Sequence, residues 1–181
     1  MNNWEYIHGD NRFIQELDLK TKIRLIITND HWIVICRYLR YLRRQEIYQK
    51  KKGLVSKLLA LYWGRRKNSL GNKLGFHIPA FTLGPGVNVY HHGAITINGD
   101  ARIGSNCSLH GMNCIGNNGI DNKAPIIGNN VDIGVGASII GGIEIADEVK
   151  IGAGAVVIYS CQEKGDVLVG IPAKSTQKER S

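Results

Sequence analysis

The chain reads as a mainly β protein, a hexapeptide-repeat β-helix carrying an α-helical arm at its N-terminal side. Three observations predict this. Taken every sixth residue, the run Ile103, Leu109, Ile115, Asp121, Ile127, Ile133, Ile139, Ile145, Ile151, Val157 has branched aliphatics in nine of ten slots. The following slot is glycine at Gly104, Gly116, Gly128, Gly134 and Gly152, and the fourth slot is small or apolar at Ala101, Cys107, Val131, Ala137, Ile143, Val149 and Ala155. Period-two alternation, the mark of antiparallel strands, fails after a few residues. A period of six with these properties is the signature of coils that stack into a prism.

Each hexapeptide is one short strand and one turn. The aliphatic points into a narrow interior, and glycine supplies backbone freedom at the corners. One coil cannot bury its own apolar side, so coils must stack. Three hexapeptides, about 18 residues, close a coil, which makes about four coils in the periodic region.

The hexad starts near His77, and Leu83-Gly84-Pro85-Gly86-Val87 already has its form. It breaks at Tyr90-His91-His92-Gly93 and again from Asn117 to Pro125, where Asp121 takes the aliphatic slot. The second break is rich in turn residues and is predicted to leave the prism as a loop. After Val157 a terminal strand and turn are expected over Gly165–Lys174.

Upstream, helices are predicted over Leu19–Ile27, from His31 to about Ile47, and over about Leu54–Lys67. Asn29 or Asp30 can cap the second. Ile35, Leu39, Leu42 and Trp32 recur there at helical spacing, and Arg37, Arg40, Arg43 and Arg44 are expected on its other face. Leu58, Leu59, Tyr62 and Trp63 are the apolar residues of the third. Trp4, Tyr6 and Phe13 are candidate packing anchors, and Ser69–Lys73 reads as a linker. The domain division is therefore a basic helical arm at 1–75, a β-helix at 76–175 and a mobile tail at 176–181.

Charge is segregated between these parts. Of 23 Lys+Arg and 15 Asp+Glu, residues 1–75 hold 16 and 6, so the arm is strongly basic and the rod nearly neutral. That asymmetry suggests an acidic partner or an anionic membrane surface, or a solubilising helical face. The arm can also cap the open first coil, whose strand edges are otherwise exposed. No nucleic-acid recognition module is present. Cys36, Cys107, Cys114 and Cys161 have no metal or disulfide spacing. No signal peptide or membrane-spanning run is read, so a cytoplasmic protein, peripheral at most to the inner membrane face, is the expectation.

Breaks in a rigid rod are natural places for a site. His91-His92 is the strongest candidate. A free imidazole titrates near pH ~6.5 and can take a proton from a hydroxyl at neutral pH. A surface turn is the alternative for a bare His-His pair.

Further blocks carry a resemblance. They are Ile78-Pro79, Leu83–Val87, His91–Asn98, Asp100–Gly104, Ile126–Val131, Ile151–Val157 and Gly170-Ile171-Pro172-Ala173-Lys174. Together they resemble the serine acetyltransferase branch of the left-handed β-helix acyltransferases, and look closest to its members in polysaccharide biosynthesis. His31-Trp32 and Arg37-Tyr38 in the arm look like that branch more loosely. The resemblance covers roughly residues 75–175 and implies a left-handed parallel β-helix, a homotrimer, and acetyl-CoA as co-substrate without a metal.

Residue by residue, His91 matches the catalytic histidine, general base on the acceptor hydroxyl. Val135-Gly136 and Ala153-Gly154 match positions along the CoA arm, between neighbouring prisms, and Lys174 matches a cation for CoA phosphates. Plain coil geometry for the glycines and a solvated lysine are the alternatives. His92, His110 and Asp100 are candidates for the acceptor pocket. The departures are informative. Tyr90 stands where that family has an aspartate before its histidine, Phe76 or His77 where it has a second acid, and Lys123-Ala124-Pro125 where it has an Arg-His-Pro segment. These argue against serine as acceptor and leave His77 or Asp100 to orient His91.

The reading is an acetyl-CoA-dependent O-acetyltransferase acting on a sugar hydroxyl of a surface-polysaccharide precursor. The alternatives are a serine O-acetyltransferase and a non-catalytic scaffold. A zinc hydratase resembling γ-class carbonic anhydrases would need two histidines five residues apart, and no such pair exists.

Overall fold

The structure, a computed structural model, describes residues 2–176. The tail expected at 176–181 lies, apart from Thr176, outside the described residues. The helices are α1 (Asn3–His8), α2 (Arg12–Gln15), α3 (Leu19–Ile27), α4 (His31–Lys50) and α5 (Leu54–Leu74). A parallel β-helix follows, with three faces.

One face joins β1 (Phe76–His77), β3 (Ile95–Ile97), β6 (Cys114–Gly116), β9 (Ser138–Ile140) and β12 (Val156–Val157). The second joins β4 (Arg102–Ile103), β7 (Ile126–Ile127) and β10 (Glu144–Ile145). The third joins β2 (Asn88–Val89), β5 (Ser108–Leu109), β8 (Asp132–Ile133), β11 (Lys150–Ile151) and β13 (Val167–Gly170). The antiparallel strand β14 (Ala173–Ser175) closes that face, as the terminal strand and turn require.

Register explains the period. Ile97, Ile115, Ile139 and Val157 lie over one another on the first face, and Leu109, Ile133 and Ile151 on the third. Each of the nine aliphatic slots is buried. A fully buried aliphatic side chain is worth about 1.5–3 kcal/mol in removal from water, so the column carries the rod. The glycine after the aliphatic answers a close approach. A Cβ on Gly104 would run into the backbone carbonyl of Gly128 in the next coil.

Two insertions shape the rod. Ile103 pairs with Ile127, 24 residues on, whereas Ile127 pairs with Ile145, 18 residues on. The loop at 117–125 therefore inserts one whole hexad, which keeps the period in phase with Asp121 in an aliphatic slot. Asp121 and Ile120 are exposed on that loop. The second insertion is at the histidines. Eight residues separate Val89 from Ile97, against six from Leu109 to Ile115 in the next coil. The chain bulges outward at Tyr90–Ala94.

The arm differs from expectation in two places. Ser69–Lys73 is not a linker, because α5 runs on to Leu74 and ends at Gly75 with φ 78°. Its composition suggests a break, but Ala60, Gly64, Lys67 and Gly71 form the buried seam of the helix. A Cβ on Gly71 would sit 2.7 Å from the Phe76 carbonyl oxygen and 3.0 Å from the Tyr38 ring, so close packing selects glycine there. The larger apolars Leu54, Val55, Leu58, Leu61 and Tyr62 are left exposed.

Arg43 is the second correction. It is not on an outer face but fully buried. Its guanidinium donates to Asp10 Oδ2 at 2.8 Å, Glu46 Oε2 at 3.1 Å, and the carbonyls of Leu83 at 2.8 Å and Gly84 at 2.6 Å. Burial pushes the Asp10 carboxyl up, and the guanidinium and the Val87 N–H pull against it. Asp10 Oδ1 accepts from Val87 N–H, Asn11 Oδ1 from Val89 N–H, and Lys67 donates to the Ile78 carbonyl. The arm thus caps the first coil by meeting its open backbone groups with side chains, as buried polar groups require. Trp4, a candidate anchor, is exposed, while Tyr6 donates to Glu46.

Candidate functional site

The site lies where the third face turns into the first. Four turns stack there, after β2, β5, β8 and β11. His91 and His92 are exposed on the bulged turn. Beneath His91 the next coil offers Gly111, with φ 105°, where a Cβ would come within 3.3 Å of the His91 Cβ. Glycine therefore meets both a backbone and a packing demand at that point.

Tyr90 anchors the turn. Its ring stacks on Phe13 at 4.8 Å and on His110 at 4.6 Å between centroids. His110 Nε2 lies 2.7 Å from Asp132 Oδ1. With Asp132 ionised, that nitrogen carries the hydrogen. Asp132 escapes sequence reading because it is one outward residue beside Ile133; only the register with Ser108 brings it under His110.

The arm supplies the other wall. Asp30 caps α4, accepting from Trp32 N–H at 2.9 Å, and holds His31 Nδ1 at 3.3 Å. Trp32 Nε1–H donates to the Tyr90 carbonyl at 2.9 Å, which pins the start of α4 to the histidine turn. The His31 ring stands 5.9 Å from the His91 ring, 19° from parallel, and 5.6 Å from the His92 ring, at 76°. Its Nε2 is buried without a hydrogen-bond partner. Although three imidazoles meet here, no group of three His, Cys, Asp or Glu among the described residues is arranged to hold a metal ion.

Beyond His91 the corner continues as a lane of small residues. Gly136 N–H donates to the Gly111 carbonyl and Gly154 N–H to the Val135 carbonyl, so Val135-Gly136 and Ala153-Gly154 lie one coil apart. Gly136 and Gly154 have φ of 72° and 69°, which by itself favours glycine within one chain. A Cβ on Gly154 would meet nothing within 4 Å, so open space lies over that end of the lane.

Other candidates are not brought to this corner. Asp100 stands in the turn between β3 and β4, at the corner from which the 117–125 loop leaves. Lys174 is exposed on β14, beside a groove lined by Tyr159, Gln162 and Glu163. His77 is exposed on β1. Phe76 is buried, its ring edge-on to Tyr38 at 5.2 Å.

No model of a known protein family matches the chain. Individual proteins do. The chain is 37% identical over 103 residues to a serine acetyltransferase of Buchnera aphidicola, covering 55% of this chain and 39% of that protein. It is likewise 37% identical over 103 residues to a protein of Escherichia coli described as a colanic acid biosynthesis acetyltransferase, with 55% and 62% covered. Soybean serine acetyltransferase superposes with a TM-score of 0.75 at 25% identity, over 96% of this chain and 69% of that one. The chain resembles the β-helix acetyltransferases in both sequence and fold. The prism is left-handed, as in those structures, with helices at its N-terminal side. The chain spans about half the length of the relatives it matches.

Proposed function

We propose that the protein is an acetyl-CoA-dependent O-acetyltransferase whose His91 is the general base and whose acceptor is a sugar hydroxyl of a surface-polysaccharide precursor. The observation that carries the reading is the juxtaposition at one corner: an exposed imidazole packed over Gly111 on a bulged turn, beside a lane of backbone at Val135-Gly136 and Ala153-Gly154 that is open over Gly154. A thin pantetheine arm fits such a lane, because close approach to backbone needs small side chains.

The chemistry follows from what each group does. His91 takes the acceptor's hydroxyl proton as the oxygen attacks the thioester carbonyl carbon. The carbonyl oxygen becomes an anion that a backbone N–H can meet. The carbon–sulfur bond then breaks, the acetyl group stays on the acceptor oxygen, and the imidazolium returns its proton to the CoA thiolate. Lys174 meets CoA phosphates and His92 and His110 line the acceptor pocket, which Asp100, at another corner of its own prism, reaches only from a neighbouring subunit.

Substitution of the acceptor side favours a sugar over serine. Phe76 is committed to the core with Tyr38, Tyr90 to its stack with Phe13 and His110, and the loop carries Lys123-Ala124-Pro125. The likeness to the colanic acid acetyltransferase points the same way. Serine is the second reading, favoured by the number of serine acetyltransferases among the relatives.

The unit we infer is a homotrimer, with the lane facing a neighbouring prism. We place it in the cytoplasm, at the inner membrane face. No helix among the described residues is long and apolar enough to cross a membrane. α5 nonetheless exposes Leu54, Val55, Leu58 and Leu61 near Lys51, Lys52, Lys57 and Arg65, a combination suited to an anionic surface.

The test is thiol release from acetyl-CoA with serine and with a panel of sugars. Sugar-dependent release by the wild type is expected, lost by about 10²- to 10⁴-fold in His91→Ala, whereas His92→Ala keeps kcat and raises KM for the sugar. Release with serine alone selects the second reading. Tight acetyl-CoA binding without release on any hydroxyl leaves a non-catalytic scaffold.

A further inference from the structure

Resting on His91 as the base, we propose that Asp30 and His31, at the start of α4, form a positioning pair for it, so that the arm completes the site on the rod. Of the two residues that stand where the resemblance implies a second acid, Phe76 is buried against Tyr38 and His77 is exposed on β1, away from this corner. The group that does face His91 comes from the arm instead. Asp30 Oδ1 lies 3.3 Å from His31 Nδ1, and the carboxylate favours the tautomer with the hydrogen on that nitrogen, which leaves Nε2 as a lone-pair acceptor. That Nε2 is buried, has no partner, and belongs to a ring close to both His91 and His92.

A buried acceptor left unmet is unfavourable, so a donor swung toward it is favoured. Two imidazoles sharing an N–H···N bond of ~2.9 Å have centroids about 5 Å apart. The observed 5.9 Å is longer than that and the rings are stacked, so His91, which is exposed, makes the bond by turning its ring edge toward His31. The His91 N–H then points at His31, and its other nitrogen is left bare toward the acceptor hydroxyl. Asp30 holds His31, and His31 fixes the tautomer of His91. The remaining titratable groups around the turn are His92, Tyr90 and His110; Tyr90 and His110 are engaged in their own stack, and His110 with Asp132. The Trp32 bond to the Tyr90 carbonyl keeps the two elements in place.

The experiment pairs thiol-release kinetics with imidazole ¹⁵N NMR of the full chain, His91 being assigned from His91→Gln. His31→Ala is expected to lower kcat at least about tenfold with KM for acetyl-CoA unchanged, as a mispositioned base would. It should also turn His91 from one dominant tautomer into a mixture. His31→Gln, whose amide oxygen can replace the Nε2 acceptor, should restore much of both. Asp30→Asn keeps the helix cap and should give an intermediate loss with the same melting temperature. An unchanged His91 tautomer in His31→Ala overturns the proposal, as does an unchanged kcat. If the wild type transfers acetyl to no acceptor, the functional reading fails, and the nitrogen shifts still decide whether His31 orients His91.

Discussion

The rod and the arm are stabilised by opposite means. The rod is a column of repeated aliphatics, each slot equivalent to the one a coil away, eighteen residues on or twenty-four across the 117–125 loop, and each coil touches only its neighbours. The arm packs Ile35, Tyr38, Leu39 and Leu42 onto the first coil and is fixed there by single polar side chains that have no equivalents: Arg43 on two carbonyls, Asp10 and Asn11 on two N–H groups, Trp32 on the Tyr90 carbonyl. Repetition spreads stability over many weak contributions. Capping concentrates it in a few buried groups, and the candidate site sits at the seam between the two.

If that contrast holds, Arg43→Ala gives the largest loss. It leaves Asp10 and Glu46 buried without their cation and strips two carbonyls, so a cost of about 3–5 kcal/mol is expected in urea unfolding. Fluorescence of Trp32 should report loosening of the arm before the rod unfolds. A loss under about 1 kcal/mol would mean the cap is dispensable. Next comes a rod position such as Ile139→Val, where one methylene is removed from a fully buried slot. About 0.5–1.5 kcal/mol is expected, measured the same way, since neighbouring coils share the load. A loss as large as that of Arg43→Ala would erase the distinction. The smallest effect on stability belongs to Leu58→Ser with Leu61→Ser on the exposed side of α5, within about 0.5 kcal/mol of wild type. That pair should still reduce sedimentation with anionic vesicles at low salt. Unchanged sedimentation would remove the membrane from the arm's role.

The same contrast governs what could be read in advance. The rod was legible because a six-residue period is a local property: Ile103 to Val157 declares its inward face without any knowledge of partners. Even the loop at 117–125 was legible, since it inserts one whole hexad and leaves the phase intact. The arm was legible as helices but not as a packed unit. Its sequence puts arginines at 37, 40, 43 and 44, and nothing local distinguishes the one that is buried. Ser69–Lys73 looked like a linker because a glycine seam and a linker have similar composition.

At the candidate site the division is sharper. The pair His91-His92 stood out by its place in a break of the period, and the resemblance to the β-helix acyltransferases singled out His91 and the lane at Val135-Gly136 and Ala153-Gly154. Asp132 and His31 did not stand out. One reaches His110 through strand register, and the other reaches His91 across sixty residues of chain.

Taken alone, the sequence determined the prism, its inward residues, the two places where it breaks and the basic character of the arm, because periodicity and charge are written residue by residue. Only the tertiary structure decided which arginine caps the first coil, which way α5 turns its leucines, and which helix start comes to lie beside the histidine turn. Those depend on contacts between segments far apart in the chain, where burial and unmet hydrogen bonds, not local preference, select the partner.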